Sequence, residues 1–249
     1  MLQCYGMEMT DKGSWEAWLQ LEELLPAERL ERLHGLHNEE RRRHFLMSGL
    51  LMQYGISAAL GIPICNISYI YGKNGKPYLA PGVYEGGQID FNLSHSGRYA
   101  VLAVSDTPVG IDVECSGRER LGVAKRFFCP EEYEDIQAAA TPQEKSLRFA
   151  SYWTMKEAYV KRTGEGLMRE LNSFYIRRGA KGLSATVEND IFFATLCHQS
   201  ACIISICSEN RKELEALFGN PDQKMSWIDA KSLLRECAKE VLCNPLRTI

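Results

Sequence analysis

An α+β protein of two halves with similar plan is the fold class that the sequence predicts, on three observations. Apolar residues recur at helical spacing through the first quarter, short extended segments follow, and the same order of helices and then strands comes round again in the second half. The change falls at "SDTPVG", so the expected organisation is an N-terminal α+β lobe over 1–107 and a C-terminal lobe over 108–249 carrying an extra C-terminal helix. No repeat is visible in residue identity, and the two-lobe plan rests on element order.

The elements follow in order. "LPAERLERLHGL" and "NEERRRHFLMSGLLMQYGISAALGIP" are helical, with Asn38 able to cap the second and Gly61 and Pro63 to end it. "NISYIYGKNGKPYL" is a strand, a Gly-rich turn and a further extended piece. "IDFNLSHSG", "YAVLAVS" and "VGIDVE" are three short extended segments close together, which predicts an antiparallel meander. Two helical stretches, "RERLGVAKRFF" and "PEEYEDIQAAA", lead to the best-marked helix, which Thr141 caps, Pro142 starts, Glu144 completes as a capping box and Gly164 stops. "SFYIRR", "LSATVE", "IFFATLC" and "ACIISICS" are strands, and "MSWIDAKSLLRECAKEVL" is an amphipathic helix.

Composition narrows the function classes. The chain has 249 residues, 45% hydrophobic and 24% charged, with a net charge of -3, so no global positive field favours nucleic acid. No apolar run approaches the ~18 residues a membrane span needs, and no basic-then-apolar leader opens the chain, so a cytoplasmic protein without membrane contact is expected. Nine cysteines without a CxxC pair are expected to be reduced thiols, with Cys197, Cys202 and Cys207 as buried strand residues. The basic runs Arg41–Arg43 and Lys125–Arg126 are either solvated helix faces or phosphate receivers.

Chemistry concentrates in two strings. In "VGIDVE", a strand turns Asp112 and Glu114 to the same side, where two like charges need a compensating cation or proton. In "WTMKEAYVK", Trp153, Glu157 and Lys161 are four apart and share one helical face. Alone, Glu157 and Lys161 are a surface ion pair beside a core Trp, worth ~0.3 kcal/mol. Folded back on the strand, Glu157 makes a third carboxylate, and three carboxylates are a hard-cation site of the kind Mg2+ occupies. Ser94 and His95 in "NLSHSG" and Lys76 in "NGKP" are each explained singly as structural or solvated residues; with Lys161 they are groups that hold a polyphosphate around a metal.

These strings resemble the 4'-phosphopantetheinyl transferases of the surfactin-synthetase type. The matching segments are "GKP" (75–77), "FNLSHSG" (91–97), "VGIDVE" (109–114), "AKRFFCPEEY" (124–133), "WTMKEAYVK" (153–161) and "GEGL" running into "LNSFYIRR" (164–178), in the family's order from about residue 38 to 178. The resemblance implies two similar lobes in a pseudo-two-fold arrangement, with the active site in the cleft between them. It implies transfer of the phosphopantetheine arm of coenzyme A to a serine of an apo acyl or peptidyl carrier protein of fatty acid or secondary metabolite synthesis, with release of 3',5'-ADP. By resemblance Asp112, Glu114 and Glu157 are the Mg2+ ligands, Glu157 or an adjacent water is the base, and Lys161 neutralises phosphate charge. Lys76, Ser94 and His95 match phosphate-binding positions, Arg41 stands near one that meets the 3'-phosphate, and Glu132 matches an acidic position of open role. Trp153 is expected to pack and fix its helix. A monomer is implied as well.

The sequence departs from the family where relatives commonly carry an Arg in the first long helix: here Gln53 stands, followed by Tyr54, and Asn38 stands where a Lys can occur. Fewer cationic contacts would weaken coenzyme A binding unless Arg42 or Arg43 compensates. Arg118, Arg120, Lys125 and Arg126 are expected to receive an acidic carrier. The alternative is a Mg2+-dependent nucleotide or coenzyme A phosphohydrolase on the same carboxylates. A Ser–His hydrolase is disfavoured, because adjacent strand side chains face opposite ways. A non-catalytic module is disfavoured because all three carboxylates are present.

Overall fold

Two 22-residue helices, α3 (Glu39–Leu60) and α6 (Pro142–Thr163), organise the two lobes of the computed structural model, which describes residues 1–9, 15–115, 121–166, 169–179, 183–186, 190–199, 202–219 and 225–243. Each begins at a side-chain cap, Asn38 Oδ1 accepting from the Arg41 amide and Thr141 Oγ1 from the Glu144 amide. Each ends at a glycine in the left-handed region, Gly61 at φ 67° and Gly164 at φ 71°. The predicted caps and stops are therefore the ones the chain uses.

The first lobe also contains β1 (Leu2–Glu8), α1 (Trp15–Leu19), α2 (Ala27–His34), β2 (Tyr69–Tyr71), β3 (Pro77–Leu79), β4 (Asp90–Ser96) and β5 (Tyr99–Ser105). The second contains β6 (Val109–Cys115), α4 (Leu121–Phe127), α5 (Pro130–Gln137), β7 (Ile176–Arg177), β8 (Leu183–Thr186), β9 (Phe192–His198), β10 (Cys202–Ser208) and α7 (Arg211–Gly219). Beyond them lie β11 (Ser226–Ile228) and α8 (Ala230–Cys243). The sheet orders are β11-β1-β5-β4 and β6-β10-β9-β8-β7, and β2 and β3 form a separate hairpin.

Four expectations change. The meander stops after β5, because β6 pairs antiparallel with β10 and becomes an edge of the other sheet. Strand β1, absent from the sequence reading, runs between β5 and β11 in the first sheet. The tail does not stay with the second lobe: β11 pairs parallel with β1, and Ala230, Leu233 and Cys237 of α8 join the first-lobe core around Leu33, Leu50 and Leu51. The lobe expected over 108–249 thus gives up its last segment, because the apolar face of α8 is covered by α3. Finally, Cys115 and Cys202 stand directly opposite in the β6–β10 register and form a disulfide, whereas Cys4, Cys65, Cys129, Cys197, Cys207 and Cys237 are free thiols, Cys197 on the surface. Among the described residues no helix is long and apolar enough to cross a membrane.

The lobes meet through side chains. The amides of β6 residues 109, 111, 113 and 115 point away from β10 and would be orphaned at the sheet edge. Strand β4 satisfies all four: Asp90 Oδ2 accepts from Val109 at 2.8 Å, Asn92 Oδ1 from Ile111 at 3.0 Å, Ser94 Oγ from Val113 at 3.4 Å and Ser96 Oγ from Cys115 at 3.1 Å. The alternating polar residues of "DFNLSHS" therefore face the other lobe.

Candidate active site

Asp112 and Glu114 reach one cavity because Gly110 lets α6 lie directly on β6. A Cβ at Gly110 would stand 1.9 Å from the carbonyl oxygen of Ala158 and 2.8 Å from the amide of Arg162. The alternation of β6 then turns residues 110, 112 and 114 toward α6, while Val109, Ile111 and Val113 enter the core between the sheets. The helical spacing of Trp153, Glu157 and Lys161 lays all three over the same strand. Together with Leu93, Ser94, His95 and Val113 these residues line a cavity of about 300 Å³.

Lys161 supplies the positive charge there. Its Nζ is 2.6 Å from Asp112 Oδ1 and donates to Ser94 Oγ at 2.9 Å, while Ser94 donates to the same Asp112 oxygen at 2.7 Å. Glu157 is half-buried, and burial, followed by the charge of Asp112, pushes its carboxyl up against the opposing pull of Lys161. His95 is exposed at one edge, yet desolvation and the positive fields of Lys161, His44 and Arg29 hold its pKa below the ordinary value. Among the described residues no three His, Cys, Asp or Glu side chains stand at metal-ligating separation.

Through Leu93, Trp153, Glu157 and Lys161 this cavity adjoins a cleft of about 920 Å³. One wall comes from the β2–β3 turn (Asn74, Gly75, Lys76), another from Val123, Arg126 and Phe127 at α4, and a third from Leu171 and Asn172. Trp153 packs on Phe149 and Phe128, as expected, and also faces both spaces.

Several predicted residues serve elsewhere. Lys76 lines the cleft, but its ammonium is held at 2.8 Å by Asp90 and at 3.0 Å by the Arg162 carbonyl, tying the hairpin to the end of α6. Arg41 is exposed and lines neither space; Arg43 pairs with Glu39, and Arg42 lies over Trp15. Gln53 is a core residue, donating to the Leu24 carbonyl at 2.8 Å and accepting from the Tyr69 hydroxyl, and Tyr54 packs edge-on against Tyr5. Asn38 is the helix cap. Arg118 and Arg120 lie outside the described residues. Glu132 is fully buried against Lys156, away from the cavity.

Arg29 is a cation that the sequence reading did not single out. Arg29 of α2 is 8% exposed, lies 4.4 Å over the Phe45 ring, and has a buried Nε without a hydrogen-bond partner among the described residues. The spacing of Arg29 and Arg32 on one turn was its only signal.

The family model "4'-phosphopantetheinyl transferase superfamily" matches residues 108–216, and "4'-phosphopantetheinyl transferase, N-terminal" matches residues 12–107. A 4'-phosphopantetheinyl transferase of Bacillus subtilis is 34% identical over 176 residues, 71% of this chain and 76% of that protein. The chain belongs to the 4'-phosphopantetheinyl transferase superfamily. Other relatives are similar too: HetI of Nostoc is 37% identical over 60% of this chain and 65% of its own length. A Xenopus laevis L-aminoadipate-semialdehyde dehydrogenase-phosphopantetheinyl transferase is 29% identical over 62% of this chain and 56% of its own. The two-lobe α+β fold of the transferase family is thus the fold observed.

Proposed function

We propose that the small cavity binds the pyrophosphate of coenzyme A with Mg2+, that the pantetheine arm runs into the adjoining cleft, and that a serine of an apo acyl or peptidyl carrier protein receives the arm, with release of 3',5'-ADP. The observation that carries this reading is the junction itself: three carboxylates, a lysine, a serine and a histidine share one small cavity that opens into a cleft large enough for an extended arm. The carboxylates fit the ion in kind, since Mg2+ takes oxygen ligands and Asp112 adds to burial in raising the Glu157 carboxyl, a like-charge repulsion that a cation relieves. Asp112, Glu114 and Glu157 would hold it, and when bound the ion offsets phosphate charge.

The chain's own groups account for the rest. Glu157 borders both spaces and accepts the proton of the serine hydroxyl, directly or through a water, as the serine Oγ bonds to the pantetheine-side phosphorus. The bond from that phosphorus to the bridging oxygen breaks, and the oxygen leaves with 3',5'-ADP. Lys161, now on Asp112, turns to the non-bridging oxygens as their charge develops. Ser94 and His95 donate to phosphate, and Arg29 with His44 adds positive field beside His95. Lys125 and Arg126, exposed on α4 at the cleft mouth, receive the acidic carrier; charge reversal there should raise KM for the carrier and leave coenzyme A affinity unchanged. The enzyme works as a monomer in the cytoplasm, one chain supplying both lobes of the site.

Intact mass spectrometry of an apo carrier incubated with the enzyme, coenzyme A and Mg2+ tests the reading. One phosphopantetheine mass is gained, and the gain is lost with EDTA and in Asp112→Ala and Glu157→Ala. Hydrolysis of coenzyme A with every carrier left apo would instead establish the phosphohydrolase, which none of the matched families and relatives supports.

A further inference from the structure

We propose that the buried ion pair Glu132–Lys156 is a positioning device for the transfer reaction, clamping the 171–174 wall of the cleft and the α4–α5 junction to α6 at the residue before Glu157. The inference rests on the reading of the cleft as the channel for the arm and its acceptor.

Both side chains are 0% exposed, and their charged atoms are 2.9 Å apart. Neither touches the small cavity, so the chemistry described above leaves them unused. Their remaining bonds all go to backbone groups outside α6. Lys156 Nζ donates to the Leu171 carbonyl at 2.6 Å and to the Phe174 carbonyl at 2.8 Å. Glu132 Oε1 accepts from the Ile176 amide at 2.9 Å, and Oε2 from the Cys129 amide at 3.0 Å. The ammonium also lies 4.3 Å from the Phe174 ring centre and 5.7 Å from that of Phe128.

Stability alone gives little reason for such a pair, since burying two charges costs much of what their attraction returns and apolar residues of similar volume serve as well. What apolar residues cannot do is bond carbonyls and amides in segments without regular pairing, here the turn Leu171–Ser173 and the start of α5. Leu171 and Asn172 line the cleft opposite α4, and Phe127 lines it just before Phe128. Lys156 therefore sets the separation between these walls and Glu157, its neighbour on the same helix. Misplacing a reacting group by ~1 Å costs on the order of 10²-fold in rate.

The test is the double variant Glu132→Leu/Lys156→Met, which removes both charges and leaves neither stranded. It should bind coenzyme A within about two-fold of wild type, because the phosphate-facing groups of β4 and β6 are untouched. Its kcat with carrier should fall on the order of 10- to 100-fold. A folded double variant with wild-type kcat overturns the proposal, whereas wild-type enzyme that modifies no carrier overturns the functional reading beneath it. Hydrogen exchange on wild-type enzyme needs no variant. Protection of the Ile176 amide to the level of α6 supports the clamp, and exchange at the rate of an exposed loop overturns it.

Discussion

Replacing Gly110 by alanine puts the contact between strand and helix to the test. The added Cβ would lie 1.9 Å from the Ala158 carbonyl oxygen, and ordinary contact begins at 3.4 Å, so α6 must retreat from β6 by about 1.5 Å. Both obstacles, the Ala158 carbonyl and the Arg162 amide, are backbone atoms, and no rotamer relieves them. Overpacking a core costs ~1–3 kcal/mol, and a backbone obstacle places this variant at the upper end, about 3 kcal/mol. At ~2–4 °C per kcal/mol for a chain of this size, Tm should fall by roughly 6–12 °C. The retreat carries Glu157 and Lys161 away from Asp112, so the folded fraction should transfer the arm about 100-fold more slowly. Urea unfolding and mass spectrometry of the carrier measure the two effects on one sample. Gly122→Ala is the control: no atom lies within 4 Å of its added Cβ, and an exposed helical Gly→Ala change should be neutral or stabilising by up to ~1 kcal/mol. Wild-type Tm and rate in Gly110→Ala would refute the close seating of helix on strand.

Further outcomes follow from the same geometry. His95 is held below its ordinary pKa in the free protein, and a bound phosphate raises it, so coenzyme A binding takes up a proton there and gains affinity as pH falls through the pKa of the bound form toward the lowered pKa of the free protein. Calorimetry in buffers of different ionisation heat should show this uptake vanish in His95→Ala; identical uptake in the variant would remove His95 from the site. Asn92→Leu leaves the buried Ile111 amide without its acceptor and should cost ~1–3 kcal/mol in urea unfolding, and an unchanged midpoint would show that the seam contributes nothing. Reduction of the Cys115–Cys202 disulfide should lower stability by about 2–4 kcal/mol, as should Cys202→Ala; nine reactive thiols in oxidised, denatured protein would show that the bond does not form.

Local signals in the chain were read correctly where physics is local. Asn38 and Thr141 cap, Gly61 and Gly164 stop, and Trp153, Glu157 and Lys161 share a face, because caps, left-handed glycines and helical spacing act within a few residues. The even spacing of Asp112 and Glu114 turned both toward one cavity for the same reason. The misplaced pieces depend on partners distant in sequence. Strand β1 is recognisable only between β5 and β11, and β6 leaves the meander because β10 offers a full ladder while β4 offers only side chains. Lys76, expected at a phosphate, is bonded to Asp90, and Gln53, which stands where relatives commonly carry an Arg, is bonded to Tyr69; both partners are distant in sequence.

The sequence by itself determined the two-lobe plan, the ends of the two long helices, and the shared faces that bring Asp112, Glu114, Trp153, Glu157 and Lys161 to one cavity, since each follows from periodicity, capping or an ordered run of motifs. Only the tertiary structure decided that Gly110 seats α6 on β6, that Lys161 neutralises Asp112, that α8 returns to the first lobe, and that Glu132 and Lys156 clamp the cleft wall. Those outcomes are set by which unpaired edges and buried charges find each other across the fold, and no window of neighbouring residues contains that information.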